Sequence, residues 1–388
     1  MHCHQSDCST RSKAEPVIFL RRATLRQWAG LLGGLWPLAC VSLVLAACGT
    51  DGSTSDGPEP PPFVDPMPGI PAPYRPFVQA LDANPPSSSG GNSARTAPIT
   101  VFDSLLWEID ANQPTPSNVT NYYTTRLARV ATEMEQPVTT GFRVWAMYNH
   151  GFIVKTPTAT IAFDLVEGKA ESVGSASWAV LIPDAILNRI DVLMVSHEHI
   201  DHWDLNTRIP STIRSRGGAV LYPRAGLQRS NVTMLMSDRE VAQIRDLRIT
   251  AHAGLHNAAV MIYEVVTADG YRIVHTGDNQ TSTSLPALQG VDLLLLNGWV
   301  NESGATTNIV GMKRSIDKLR PNVMIPGHFE SMAHLKSNRY RYIQGLELQN
   351  DALARTKTVV MTWGEKMDYT LPACGAGLVR VYEACVAP

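Results

Sequence analysis

The sequence predicts an α/β fold in which the β-strands fall into two groups, each followed by helices. Short apolar runs, such as residues 190–195, are typical of buried strands. An Asp-Gly pair separates the apolar segments 259–267 and 271–275, which is a strong hairpin signal. Residues 119–135 have the apolar spacing of a helix, and Pro137 follows them. Together these signals indicate a mixed fold with several sheet strands.

Length and charge limit the classes of function. The chain has 388 residues, which is enough for one large or two ordinary domains, and 44% of them are apolar, as in globular proteins. The formal net charge is only −2. Because binding of nucleic acid needs a basic surface, we expect no nucleic acid partner.

The N-terminus has the features of an export signal. Three arginines at residues 21–26 precede an apolar run over 31–47, which ends in a Leu-Ala-Ala-Cys segment at Cys48. This segment resembles a bacterial lipobox, so we expect residues 1–48 to be a signal peptide and Cys48 to be lipidated. A plain signal peptide or a membrane anchor is the alternative, and the sequence leaves open whether export uses the Sec or the twin-arginine route.

Residues 49–98 are rich in Gly, Ser, Pro and Asp, which predicts a disordered tether. Without residues 1–48, 28 basic and 33 acidic residues remain, giving a formal charge of −5. We therefore expect a lipoprotein of the bacterial periplasm or outer membrane that touches the membrane only through its N-terminal lipid anchor.

Two cysteines, Cys374 and Cys385, lie near the C-terminus. In an oxidising periplasm such a pair is expected to form a disulfide that closes a small loop. Two free buried thiols are the alternative.

A cluster of metal-ligand residue types follows the strand expected over 190–195. His197 and His199 are two residues apart, so in an extended segment their side chains point the same way and can face one metal ion. Asp201 and His202 follow where the chain turns, and they can face a second ion. Imidazole and carboxylate ligands suit Zn²⁺, and they also permit Fe or Mn. A polar surface loop is the alternative interpretation.

The pattern His197-x-His199-x-Asp201-His202 resembles the HxHxDH signature of the metallo-β-lactamase superfamily. The resemblance implies a four-layer αββα sandwich over residues 99–388. It also implies two further ligands at strand ends. These are Asp278, after a His-Thr-Gly segment, which would bridge the metals, and His328, after Pro-Gly, which would complete the second metal site.

A third imidazole is needed for the first metal site, because three protein ligands leave one position for water. We expect His252, which directly follows a strand expected over 241–250, and relatives carry this ligand at a strand end. His256 is the alternative, and it could instead line the substrate cleft.

Two residues of the first expected hairpin have possible supporting roles. Asp164 closes the second strand, where the resemblance implies that it hydrogen-bonds a ligand imidazole; a turn cap is the alternative. His150 lies in the position of the family's Gly-His element, where it could contact substrate, support a ligand or only stabilise a loop.

The resemblance implies a hydrolase with two divalent metal ions, most simply Zn²⁺. A hydroxide between the metals would attack an ester, lactone or phosphodiester, with Asp201 and Asp278 as catalytic carboxylates.

The motifs look most like the branch that contains ascorbate-6-phosphate lactonase and N-acylphosphatidylethanolamine phospholipase D, which favours a small-molecule or lipid substrate. A non-catalytic metal-binding lipoprotein with the same fold is the alternative. The sequence does not indicate an oligomeric state. The expected first-site ligands are His197, His199 and His252, the second-site ligands are Asp201, His202 and His328, and Asp278 joins the two sites.

Overall fold

The computed structural model describes most of the chain from residue 70 onward. The described residues are 70–109, 115–167, 180–203, 207–226, 230–300, 308–331, 334, 339–351, 356–371, 374, 377–381 and 384–387. The expected signal peptide with Cys48, and residues 49–69 of the expected tether, lie outside them.

Three helices open the described chain, and runs of strands separated by single helices follow. The helices are α1 Arg75–Ala83, α2 Thr96–Trp107, α3 Ser117–Glu133, α4 Asp184–Leu187, α5 Arg208–Ser215, α6 Asn308–Leu319 and α7 Tyr342–Gln349. The strands are β1 Phe142–Ala146, β2 Phe152–Lys155, β3 Thr160–Phe163, β4 Val192–Met194, β5 Ala219–Pro223, β6 Met234–Met236, β7 Val241–Ile244, β8 Leu247–Ala253, β9 Met261–Val266, β10 Arg272–His275, β11 Leu293–Asn297, β12 Val323–Gly327, β13 Lys357–Thr358, β14 Lys366–Tyr369, β15 Val379–Val381 and β16 Ala384–Val386.

Two seven-stranded sheets form the centre of the fold. The first has the order β14-β1-β2-β3-β4-β5-β6, and the second has the order β13-β12-β11-β10-β9-β8-β7. Strands β3 to β6 run parallel in the first sheet, and β10 to β13 run parallel in the second. Parallel neighbours need crossover connections, and α4 to α7 lie within those connections.

Both faces of the central strands are buried, which explains their continuous apolar sequences. In β11, Leu293 and Leu295 belong to a cluster that includes Ile161 and Met194 of the first sheet, so these side chains lie between the sheets. Leu294 and Leu296 belong to the other cluster, which includes helix residues such as Met312. The αββα sandwich that the sequence predicts is therefore confirmed.

The expectation of a tether over residues 49–98 is wrong for residues 70–98. This segment contains α1 and the start of α2, and its residues Tyr74, Phe77, Val78 and Leu81 are buried. Their spacing is that of one face of a helix. The folded domain thus begins before residue 99.

A buried ion pair attaches this segment to the sheet region. Arg95 Nη2 lies 2.6 Å from Glu365 Oε2, and both side chains are less than 5% exposed. Arg95 also donates hydrogen bonds to the carbonyls of Asn84 and Val360. A buried charge is tolerated only when it is paired and hydrogen-bonded, so this contact fixes the segment in place.

The C-terminal strands β15 and β16 pair with each other as a separate two-stranded sheet. Cys374 and Cys385 form a disulfide there, which is the pairing expected from the sequence. Among the helices that the structure describes, none is both long and apolar enough to cross a membrane.

Candidate metal centre

The candidate ligands come together at the carboxyl ends of strands from both sheets. The segment containing His197 follows β4, Asp278 follows β10, and His328 follows β12. Carboxyl ends of parallel strands lie at one edge of a sheet, where α/β proteins commonly place their sites. The loop after β8 adds His256 to this edge.

The first group of ligands contains three imidazoles and one carboxylate. His197, His199, His256 and Asp278 each offer one ligand atom, and these atoms all lie within 4.8 Å of one another. His256 Nε2 is 3.3 Å from His199 Nδ1, and His197 Nε2 is 3.8 Å from Asp278 Oδ2. A single cation could contact all four side chains.

The second group consists of Asp201, His202 and His328, which are all buried. His328 Nε2 lies 3.3 Å from Asp201 Oδ2 and 3.3 Å from Asp278 Oδ2. His202 Nε2 lies 3.2 Å from Asp278 Oδ1. The carboxylate of Asp278 therefore stands between the two groups and touches members of both.

The donor atoms fit a pair of divalent cations. The Nε2 atoms of His197, His202 and His328 are buried. Although carboxylate oxygens lie near them, none of the three atoms makes a hydrogen bond of acceptable geometry to a residue that the structure describes. Burying polar atoms without partners is costly. Imidazole nitrogens and carboxylate oxygens converging in this way are ligands suited to Zn²⁺, Mn²⁺ or Fe²⁺.

Asp164 and Ser196 orient two of the imidazoles. Asp164 Oδ2 accepts hydrogen bonds from His202 Nδ1 at 2.7 Å and from Ser196 Oγ at 2.6 Å, while Asp164 Oδ1 accepts one from Ser196 N. Since the single hydroxyl proton of Ser196 goes to Asp164, Ser196 Oγ accepts from His197 Nδ1 at 2.9 Å. We therefore assign the Nδ1–H form to both histidines, which leaves their Nε2 lone pairs directed to the ligand groups.

The electrostatic environment differs between these two imidazoles. Burial lowers the pKa of His197 to about 3, so this side chain is neutral. Burial also acts to lower the pKa of His202, but Asp278, Asp201 and Asp164 outweigh it and raise that pKa well above its usual value. Around His202 the carboxylates thus favour a positive charge, which a bound cation would supply.

Asn149 connects both sheets at the second group. Its backbone has a φ of +58°, in the left-handed region, and its carbonyl accepts a hydrogen bond from His328 N at 3.0 Å. Its Nδ2 donates to Asp201 O at 2.9 Å and lies 3.3 Å from Asp201 Oδ2. One residue therefore holds two ligands that come from different sheets.

His150 lies beneath the centre, not in a cleft. Its side chain is fully buried. The centroid of its ring lies 4.2 Å from that of His275 and 6.2 Å from that of His202. A Cβ atom at Gly327 would lie 2.3 Å from His150 Nδ1, so only glycine fits there. The suggestion that His150 contacts substrate is wrong, because no part of its ring is accessible.

The preference for His252 over His256 is also corrected. β8 extends to Ala253, so His252 lies inside the strand, and Ala251 takes the side that faces the first sheet. Side chains alternate along a strand, which places His252 on the outer face. There its Nε2 lies 3.0 Å from Glu264 Oε2. His256, in the loop after β8, reaches the first ligand group instead.

Sequence reasoning missed three residues of this region: Ser196, Asn149 and His334. Ser196 and Asn149 each precede a histidine that the sequence analysis singled out, so their position was a signal. His334 lies 3.7 Å, Nδ1 to Oδ2, from Asp201. It follows His328 by only six residues, but nothing in the local pattern distinguishes it from a surface histidine.

Residues 147–328 match the family model described as the beta-lactamase superfamily domain. No curated protein sequence matches the chain.

Several solved structures resemble this one at low identity. Igni18, a metallo hydrolase from Ignicoccus hospitalis, is 17% identical, with a TM-score of 0.47 over 59% of this chain and 99% of that chain. An isothiocyanate hydrolase from Delia radicum gut bacteria is 16% identical, with a TM-score of 0.45 over 59% and 99%. CmlA, a diiron beta-hydroxylase from Streptomyces venezuelae, is 14% identical, with a TM-score of 0.41 over 61% and 55%.

Proposed function

We propose that the metallo-β-lactamase superfamily domain of this chain is a hydrolase that works with two divalent metal ions, most simply Zn²⁺. His197, His199 and His256 would hold the first ion, and Asp201, His202 and His328 the second. Asp278 would contact both. Relative to the expectation from sequence, His256 replaces His252 in this assignment.

The position of Asp278 carries the proposal. Its carboxylate lies near imidazoles of both groups: Oδ1 is 3.2 Å from His202 Nε2, and Oδ2 is 3.3 Å from His328 Nε2 and 3.8 Å from His197 Nε2. Burial alone would raise the pKa of this carboxyl group, but His202 and His328 outweigh burial and hold it well below the usual value. An ionised carboxylate between two sets of imidazoles could be shared by a pair of divalent cations.

When bound, two divalent cations would supply a water of lowered pKa and would polarise the oxygen of an electrophile. The chain's own residues then divide the remaining work. Asp201 Oδ2, held near His328 and Asn149, is placed to orient that water. His199 and His256 are only half-buried, so the substrate would approach from the side of the first group.

We propose an ester, a lactone or a phosphodiester as the substrate. The segments that deliver Asp278 and His328 resemble those of the branch containing ascorbate-6-phosphate lactonase and N-acylphosphatidylethanolamine phospholipase D. Both activities attack an oxygen ester. This choice rests on the sequence resemblance. It also agrees with the ability of a divalent cation to polarise a carbonyl or phosphoryl oxygen.

We also propose that the protein is exported as a lipoprotein through Cys48. The support is the apolar run that ends in Leu-Ala-Ala-Cys, together with the disulfide between Cys374 and Cys385, which suits an oxidising compartment. Labelling of the cells with a radioactive or clickable fatty acid tests this. Incorporation that Cys48→Ser abolishes would support the proposal, and unlabelled protein would contradict it.

Metal content and turnover of the purified full chain test the proposed hydrolase. The substrates are a chromogenic lactone, phosphodiester, carboxylester and cephalosporin. We expect about two metals per chain and turnover of at least one of the first three substrates. Asp278→Asn should lower kcat/KM at least about a hundredfold, whereas Asp269→Asn, in the exposed turn before β10, should leave it unchanged.

The outcomes separate the alternatives. A chain without stoichiometric metal would contradict the proposal. Two metals without turnover of any substrate would favour the non-catalytic metal-binding lipoprotein. Turnover that Asp278→Asn leaves intact would show that hydrolysis occurs elsewhere in the molecule.

A further inference from the structure

One more imidazole, His334, stands beside the second ligand group but belongs to neither group. Its Nδ1 lies 3.7 Å from Asp201 Oδ2, and its ring centroid lies 5.7 Å from that of His328. The side chain of His334 is 24% exposed, whereas those of Asp201 and His328 are 5% and 1% exposed. His334 therefore lies on the solvent side of the second group.

The indole of Trp299 lies next to the same imidazoles. It stacks on His328 with ring centroids 5.7 Å apart and planes at 13°, and its centroid lies 5.6 Å from that of His334. Trp299 N donates a hydrogen bond to Oδ1 of Asn297, the last residue of β11. Trp299 and His334 thus form a partly exposed wall against His328.

Buried charges fix the backbone of His334. Arg339 Nε donates a hydrogen bond to His334 O at 2.9 Å, and Arg339 Nη1 donates to Ile109 O at 2.8 Å. The side chains of Arg339 and Glu330 are both fully buried, and Arg339 Nη1 lies 3.9 Å from Glu330 Oε2. The hydrogen bond from Arg339 therefore holds the carbonyl of His334 against a buried side chain.

The inner nitrogen of His334 lacks a hydrogen-bond partner within the described part of the chain. Its Nδ1 is shielded from solvent and makes no hydrogen bond there. Buried polar atoms normally have partners, and an atom of a bound ligand would provide one. Because His334 Nδ1 lies near Asp201, a ligand atom that contacts this nitrogen would lie next to the second ligand group.

We infer that His334 and Trp299 form a substrate subsite at the second ligand group. The imidazole of His334 donates a hydrogen bond to a phosphoryl or carboxyl oxygen of the substrate, and an apolar or planar substituent lies against the indole of Trp299. This inference rests on the proposed hydrolase function and deepens it. It specifies a substrate in which an anionic oxygen and an apolar group are neighbours.

Binding of inorganic phosphate tests the role of His334 without turnover. The full chain is loaded with Co²⁺, and its visible absorption is followed as phosphate is added. His334→Ala should keep the cobalt content and the phosphate-free spectrum of the wild type, and should raise the Kd for phosphate about tenfold or more. His334→Gln retains a donor and should recover part of the affinity.

A matched control uses another imidazole. His252→Gln changes a histidine on the outer face of the second sheet, so the Kd for phosphate should stay at the wild-type value. For Trp299, the probe is diphenyl phosphate. Trp299→Leu should weaken binding of diphenyl phosphate severalfold and leave binding of inorganic phosphate unchanged, because only the aryl group needs the indole.

Each result supports or overturns the subsite. An unchanged Kd for phosphate in His334→Ala would overturn it, and so would loss of a cobalt ion, which would make His334 a metal ligand. A wild-type chain that binds no cobalt would overturn the proposed function, and the subsite with it. A wild type that binds cobalt and phosphate but hydrolyses no substrate would contradict only the proposed hydrolase function. The Kd values of the His334 variants for phosphate would still test the subsite.

Discussion

The two ligand groups differ in exposure and in charge. His199 and His256 of the first group are half-buried, and Asp278 is the one carboxylate in that group among the described residues. The second group is buried throughout, and His202 faces the carboxylates of Asp164, Asp201 and Asp278. The first group is therefore open and rich in imidazole, while the second is enclosed and anionic.

This difference separates two tasks within one centre. Electrostatic attraction is stronger where water is excluded, so we expect the second group to bind its cation more tightly. In the proposed hydrolase, the open first group would give the substrate access to the centre.

Removal of one imidazole from each group should affect stability unequally. His202→Ala leaves Asp164, whose Oδ2 lies 2.7 Å from His202 Nδ1, buried with one partner fewer. We expect this change to lower the free energy of unfolding of the metal-free chain by about 3 kcal/mol or more. His199→Ala, at a half-buried position, should lower it by less than about 1 kcal/mol. Denaturant unfolding measures both, and equal losses would contradict the division.

Loss of the Ser196 hydroxyl should weaken the first group more than the second. His197 Nδ1 would lose its acceptor, whereas Asp164 would keep its bonds to His202 Nδ1 and Ser196 N. We expect Ser196→Ala to lower the Zn²⁺ affinity of the first group by about 10- to 100-fold. Competition with a chromogenic chelator measures this. Ser104→Ala, on the exposed side of α2, is the control and should change nothing.

A chelator should remove the two cations in separate steps. We expect the cation of the first group to leave about tenfold faster, since His199 and His256 are half-buried. Metal content measured during dialysis against the chelator shows the steps. His256→Gln should show only the slow step. A fast step that persists in His256→Gln would mean that His256 does not belong to the first group.

The metal-free chain should lose stability as the pH rises above neutral. Burial acts to lower the pKa of His328, but Asp278 and Asp201 outweigh it and raise that pKa to about 9. A raised pKa means that the stabilisation is complete below about 6.5, the unfolded value, and is lost as the pH rises to about 9. The free energy of unfolding should fall by at most about 1.4 kcal/mol per pH unit through the titration of His328. Denaturant unfolding at several pH values checks it, and stability that rises between pH 7 and 9 would contradict it.

Ligands that follow a clear apolar strand could be predicted from the sequence. β4 and β12 are apolar runs that end shortly before His197 and directly before His328, so the strand end fixes where these side chains emerge. His252 and His256 could not be separated in this way. The decision depends on whether β8 ends before or after residue 252, and a shift of one residue reverses the face on which a side chain lies.

Composition and distant contacts account for the other differences. The abundance of Pro, Gly and Ser in residues 49–98 concealed the helical spacing of Tyr74, Phe77, Val78 and Leu81. His334 is placed by Arg339, whose own position depends on contacts with Glu330 and the carbonyl of Ile109. Such long-range contacts leave no periodic signal in the sequence.

Anomalous diffraction from crystals of the zinc-loaded full chain would show directly whether two cations share Asp278. We predict two zinc peaks about 3.5–4 Å apart, one beside His256 and one beside His328, with Asp278 between them. A single peak, or a peak at His252 and Glu264 on the outer face, would contradict the proposed pair of cations at Asp278.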